Sequence, residues 1–83
     1  MSVSKYIDSN SISEQEFDLI MEIVKLRMDK GLTQKELADM TGISQPNIAR
    51  FEKNVHSASL STVLKILNSM GYKLSIEKVK KKI

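Results

Sequence analysis

No cysteine occurs in the 83 residues, so neither a disulfide framework nor a thiolate zinc site is available, and stability must come from packing, helped by a second subunit. The composition fits a reducing cytoplasm. A single histidine, His56, has no second imidazole or thiol to share a metal with, and it reads as a loop residue near phosphate at most. Only three glycines and one proline are present, and the glycines fall at predicted helix ends, not in a phosphate-cradling run. With no His-Glu-x-x-His and no thiol nucleophile, the chain is expected to be no enzyme and to need no cofactor or metal. No apolar run approaches the roughly 20 residues that span a bilayer. The start also lacks a basic segment followed by an apolar one, so a soluble, unexported protein with no membrane partner is expected.

Acidic charge is scarce after the first third. From Met1 to Asp29 three basic residues stand against six acidic ones, whereas the rest of the chain carries a surplus that brings the formal net charge to +3. An acidic front and a basic body suit a protein that offers one face to phosphates and another elsewhere. A chain of this length forms one small domain that buries only about 60 to 65% of its extended surface, which is why a dimer is expected.

What is present is organised around Leu32–Glu52. Thr33 is placed to cap a helix, with Glu36 three residues on to complete the box, and Leu37, Ala38 and Met40 supply an apolar edge up to Gly42, which suits the left-handed stop. Ser44 caps again and Pro46 falls in the first turn. Ile48 and Phe51 then point one way, while Gln45, Ala49 and Arg50 point another. Two short helices joined through one glycine turn make a helix-turn-helix.

Around this unit, residues 1–12 read as a flexible tail, and the box Ser13-x-x-Glu16 opens a long first helix with Phe17, Ile20, Ile23 and Leu26 at helical spacing up to Gly31. Met21, Val24 and Met28 form a second apolar line, suited to core or to a protein contact. Lys53–Ser59 is a turn-prone loop, and Ser59 caps a helix ending at Gly71. Leu60, Leu64 and Leu67 are expected to close the core, leaving Val63, Ile66 and Met70 for a homodimer surface. Beyond Gly71, Tyr72, Leu74 and Ile76 alternate with polar residues as in a half-buried strand over 72–79, which a second copy must pair. Residues 80–83 form a basic tail.

The polar residues also fit a family. Gly31-Leu32-Thr33-Gln34, Glu36-Leu37-Ala38, Gly42-Ile43-Ser44-Gln45, Ile48-Ala49-Arg50 and Glu52 resemble, in order and spacing, the Xre family of phage-repressor-like regulators, over roughly Ile23 to Ile76. The resemblance implies an all-α, compact four- to five-helix repressor-like domain over 13–71 with a short C-terminal strand. It also implies an architectural ion pair between Arg27 and Glu52, and a Gln34 that touches both phosphate and Gln45.

In such a motif the second helix enters the major groove of double-stranded DNA. Gln45 is then placed to read an adenine edge and Arg50 a guanine, with Pro46 and Ala49 giving apolar fit to thymine. Ser44 and Asn47 are weaker candidates, and Thr33, Lys35, Lys53 and Asn54 are phosphate neighbours. Departures from family habit fall at Asn54, where glycine is common, and Ala58, where proline is common.

The ending Gly71-Tyr72-Lys73-Leu74-Ser75-Ile76 is similar to the HigA-like group of type II antitoxins. That likeness implies a homodimer on a palindromic operator that represses its own operon and neutralises a small basic toxin of the RelE ribonuclease type, with the acidic N-terminal segment as one candidate contact. A phage or mobile-element repressor without a toxin is the alternative. An adaptor that binds only protein would have no need of Gln34, Gln45 and Arg50 on the outward face.

Overall fold

The computed structural model describes residues 13–53 and 57–78. The proposed tails, Asn54 and His56 lie outside the described residues. Among the described residues four helices follow in order: α1 (Glu14–Asp29), α2 (Gln34–Thr41), α3 (Gln45–Lys53) and α4 (Leu60–Ser69). None is long and apolar enough to cross a membrane.

The helix starts are fixed locally. Ser13 accepts from the Glu16 amide at 3.1 Å while Glu16 accepts from the Ser13 amide, and Thr33 and Glu36 repeat the exchange at 3.0 and 2.8 Å. Each box satisfies two amides that the first helical turn would otherwise leave without partners. At the other end of α2, Gly42 adopts φ +79°, and its amide donates to the Ala38 carbonyl at 2.8 Å. Here a side chain would be strained by the backbone alone, since no atom lies within 4 Å of a Cβ built on Gly42. α1 and α4 both end in a crossed pair of bonds, Leu32 N–H to Arg27 and Tyr72 N–H to Leu67 being the longer-range members.

The core is one cluster. Ile20 and Ile23 from α1, Leu37 and Ala38 from α2, Ile48 and Phe51 from α3, and Val63, Ile66, Leu67 and Met70 from α4 and its end are all buried in it. α2 packs on α3 and α4, and α1 packs on α3. Burial of Ile48 and Phe51 therefore decides which side of α3 faces outward. Met21 and Met28 stay exposed on α1, off this core.

Two expectations for the C-terminal third are corrected. Val63, Ile66 and Met70 are not a spare face for a second subunit: they are core, with Ile66 wholly buried, whereas Leu60 is 64% exposed. Both sets recur at helical spacing, and the contact with α2 selects the one that packs. Residues 72–78 form no strand, and no strand occurs among the described residues. The physical reason is that alternation sorts side chains to two sides but supplies no ladder; the backbone needs a neighbour to pair with. Tyr72 instead lies beneath Lys30, whose ammonium sits 5.6 Å from the ring centre.

Candidate nucleic-acid interface

The outer side of α3 is built by what its inner side buries. With Ile48 and Phe51 turned into the core, Gln45, Pro46, Asn47 and Arg50 are exposed and Ala49 is half-buried between the two sides. Lys53 is exposed at the helix end, and Ser44 is exposed at its start. The Ser44 hydroxyl accepts from the Asn47 amide at 3.3 Å, and the Ser44 carbonyl receives Asn47 and Ile48, both at 3.0 Å. Ser44 is thus occupied in beginning the helix, while the Gln45 amide and the Arg50 guanidinium remain available.

The far end of α3 is held by Glu52. Arg27 donates to it from Nε at 2.7 Å and from Nη2 at 2.9 Å, a two-bond fork, and from Nη1 to the Leu32 carbonyl at 2.7 Å. The two side chains are only 12% and 8% exposed. Charge-assisted bonds in this planar geometry fix direction as well as distance. The outcome is that α1, the segment before α2, and α3 share one guanidinium.

Gln34 joins the same cluster. Its amide donates to Glu52 Oε1 at 3.0 Å, so it is bonded to the pair and not to Gln45 as anticipated. Thr33 is committed to capping α2, and the Lys35 ammonium stands 3.6 Å from Asp39 in an exposed pair that leaves it accessible to an anion. Glu52 is the only acidic residue of α3, and it is neutralised inward, so the outward face carries amide, apolar and cationic groups without a carboxylate. Among the described residues no three His, Cys, Asp or Glu side chains come together as a metal site would require.

Two features escaped sequence reasoning. The Gln34–Glu52 bond crosses 18 residues, and no local pattern announces it. The Thr41 hydroxyl spans the turn, donating to the Leu37 carbonyl at 2.9 Å and accepting from the Ile43 amide at 3.1 Å. A threonine one residue before a helix-ending glycine was the available signal.

Comparison with known proteins agrees with this geometry. Residues 23–81 match the family model HTH_3, Helix-turn-helix. A Haemophilus influenzae protein named as an uncharacterized HTH-type transcriptional regulator is 43% identical over 58 residues, 70% of this chain and 59% of that one. Antitoxin HipB of Escherichia coli is 39% identical over 51 residues, 61% of this chain and 58% of its own. The chain thus spans a little over half the length of these curated relatives. Among solved structures, a chain of a HipA–HipB–O2–O3 complex superposes with a TM-score of 0.72 at 32% identity, covering 92% of this chain and 99% of that one. A toxin–antitoxin module from Streptococcus pneumoniae gives 0.65 at 39% identity over 82% and 83%. On the strength of the matched turn, the paired helices and the family model that covers them, this chain belongs to the HTH_3 helix-turn-helix family.

Proposed function

We propose that this chain is a sequence-specific DNA-binding repressor that acts as the antitoxin of a toxin–antitoxin pair and represses its own operon. The observation that carries the reading is the outward surface of α3, headed by Gln45 and followed by Arg50, with the buried Arg27–Glu52 fork fixing the helix behind it. Gln45 offers donor and acceptor to an adenine edge, and Arg50 offers a fork to guanine. Pro46 and Ala49 give apolar fit between them, Ser44 and Asn47 border the bases, and Thr33, Gln34, Lys35, Lys53 and Asn54 take the phosphates.

One copy presents few cations, so the binding unit is a homodimer on a palindromic operator, with reader helices about 34 Å apart. The pairing surface is the C-terminal segment, where Tyr72, Leu74 and Ile76 are exposed, Ile76 to 99%. Two such segments, one from each copy, satisfy each other's backbone as antiparallel strands.

The antitoxin assignment is supported by the HipB relatives and by the pneumococcal module. A RelE-type ribonuclease finds no support among these relatives; the HipA–HipB complex favours a toxin resembling HipA. A repressor without a toxin is the second reading, favoured by the Haemophilus relative, whose name mentions regulation alone.

The test is to let the wild-type protein select duplexes from a random-sequence pool, then measure their binding by Gln45→Ala and Arg50→Ala. Each substitution is expected to cost about 1 to 3 kcal/mol with the helical circular dichroism unchanged. Undiminished binding by the double variant removes α3 as the reader. Co-expression with the product of the neighbouring open frame separates the two readings: operator binding without a co-purifying toxin leaves the plain repressor.

A further inference from the structure

We infer that Thr41 is a positioning residue for DNA reading, holding the start of α3 as Glu52 holds its end. This rests on α3 being the reader. α2 ends at Thr41 and α3 begins at Gln45, so three residues set the angle between them. Within those three, the Gly42 amide is taken by the Ala38 carbonyl. The Ile43 amide has a side chain for its partner, Thr41 Oγ1 at 3.1 Å. The same hydroxyl donates to the Leu37 carbonyl at 2.9 Å and approaches the Ala38 carbonyl at 3.3 Å, anchoring it to the last turn of α2.

The hydroxyl therefore acts as a strut, its proton given to α2 and its lone pair to the backbone leaving the turn. Threonine suits this because branching at Cβ leaves few χ1 choices, and back-bonding to the preceding turn favours the one used here. Ile43 is packed against the core, so its amide has little water to fall back on. Gln45 follows two residues later. Without the strut, Ile48 and Phe51 still hold the middle of this nine-residue helix and Glu52 its end, so the displacement falls on the first turn and is largest at Gln45, the residue that must meet a base edge.

Phosphate contacts tolerate such a pivot better than base contacts, because long side chains follow the backbone while a paired amide edge must match in direction. Loss of the strut should therefore lower specific binding more than non-specific binding. Thr41→Val keeps the shape and removes the hydroxyl; Thr41→Ser keeps the hydroxyl. With a duplex selected by the wild-type protein and a scrambled duplex of equal length as probes, Thr41→Val is expected to weaken the selected duplex about 10-fold or more, and the scrambled one less than about 3-fold. Thr41→Ser should restore most of the difference.

Urea midpoints establish that each variant is folded at the assay temperature, and amide exchange should show Ile43 opening faster in Thr41→Val than the interior of α3. Equal losses on both duplexes, or an Ile43 amide as protected in Thr41→Val as in wild type, overturn the positioning role. If the wild-type protein selects no duplex at all, the DNA reading itself falls and takes this role with it.

Discussion

Arg27 donates to Glu52 twice and to the Leu32 carbonyl once, with both charged side chains largely out of water. Charges in such a setting are held by their partners, and deleting one strands the other. Arg27→Met should therefore cost about 3 to 5 kcal/mol in urea unfolding. In a domain this small that approaches the whole stability, so DNA binding would disappear together with the helical signal. Lysine at the same place keeps the charge and loses the fork, and it should recover only part of the loss. Gln45 and Arg50 are expected to behave in the opposite way: they are exposed and bear no structural bonds, so their removal should leave the fold alone and, under the proposed reading, weaken recognition. The ion pair was foreseeable from the family resemblance, while its third contact and the Gln34 amide were not, because nothing in a spacing tells where a carbonyl 5 residues on will turn.

At the scale of elements, the turn after α2 depends on one backbone angle. Gly42→Ala meets no obstruction, so its cost is that of a left-handed alanine, about 1 to 2 kcal/mol, visible as a lower urea midpoint with unchanged helix content. α4 gives a sharper contrast. Ile66→Ala empties a wholly buried position and should cost about 2 to 5 kcal/mol. Leu60→Ala, at an exposed one, should change stability by no more than about 0.5 kcal/mol. These paired expectations invert those drawn from periodicity alone. The starts at Ser13 and Thr33 and the stop at Gly42 were legible because each is settled by atoms within four residues. The buried side of α4 was not, since Leu60, Leu64 and Leu67 repeat as regularly as Val63, Ile66, Leu67 and Met70, and only the neighbouring helix chooses.

At the scale of the whole molecule, exposed apolar side chains mark where the proposed contact between copies would fall. Beyond α4, Ile76 is 99% exposed, and Leu74 is partly exposed at a groove lined by Leu19 and Leu26 of α1. Leu74→Asp with Ile76→Asp should convert the proposed dimer to monomers in sedimentation velocity, and should weaken binding to a two-half-site operator far more than to a single half-site. A dimer that survives both charges locates the contact elsewhere, with Met21 and Met28 on α1 as the next exposed apolar pair. The outward side of α3 was legible from sequence, because Ile48 and Phe51 fixed the inward side and the remainder followed. For the C-terminal segment the sequence offered only a need, since alternation at 72, 74 and 76 declares two faces without naming what meets them.

The guanidinium that secures α3 belongs to a helix lying before the two-helix unit in the chain. A peptide cut to residues 32–53, or a graft of those residues onto another scaffold, would carry the proposed reading side chains but leave Glu52 with an unmatched charge at the end of α3. Portability of recognition in this protein thus requires a cation imported with the motif, and exchanges of reader helices between relatives should succeed where the recipient already supplies one.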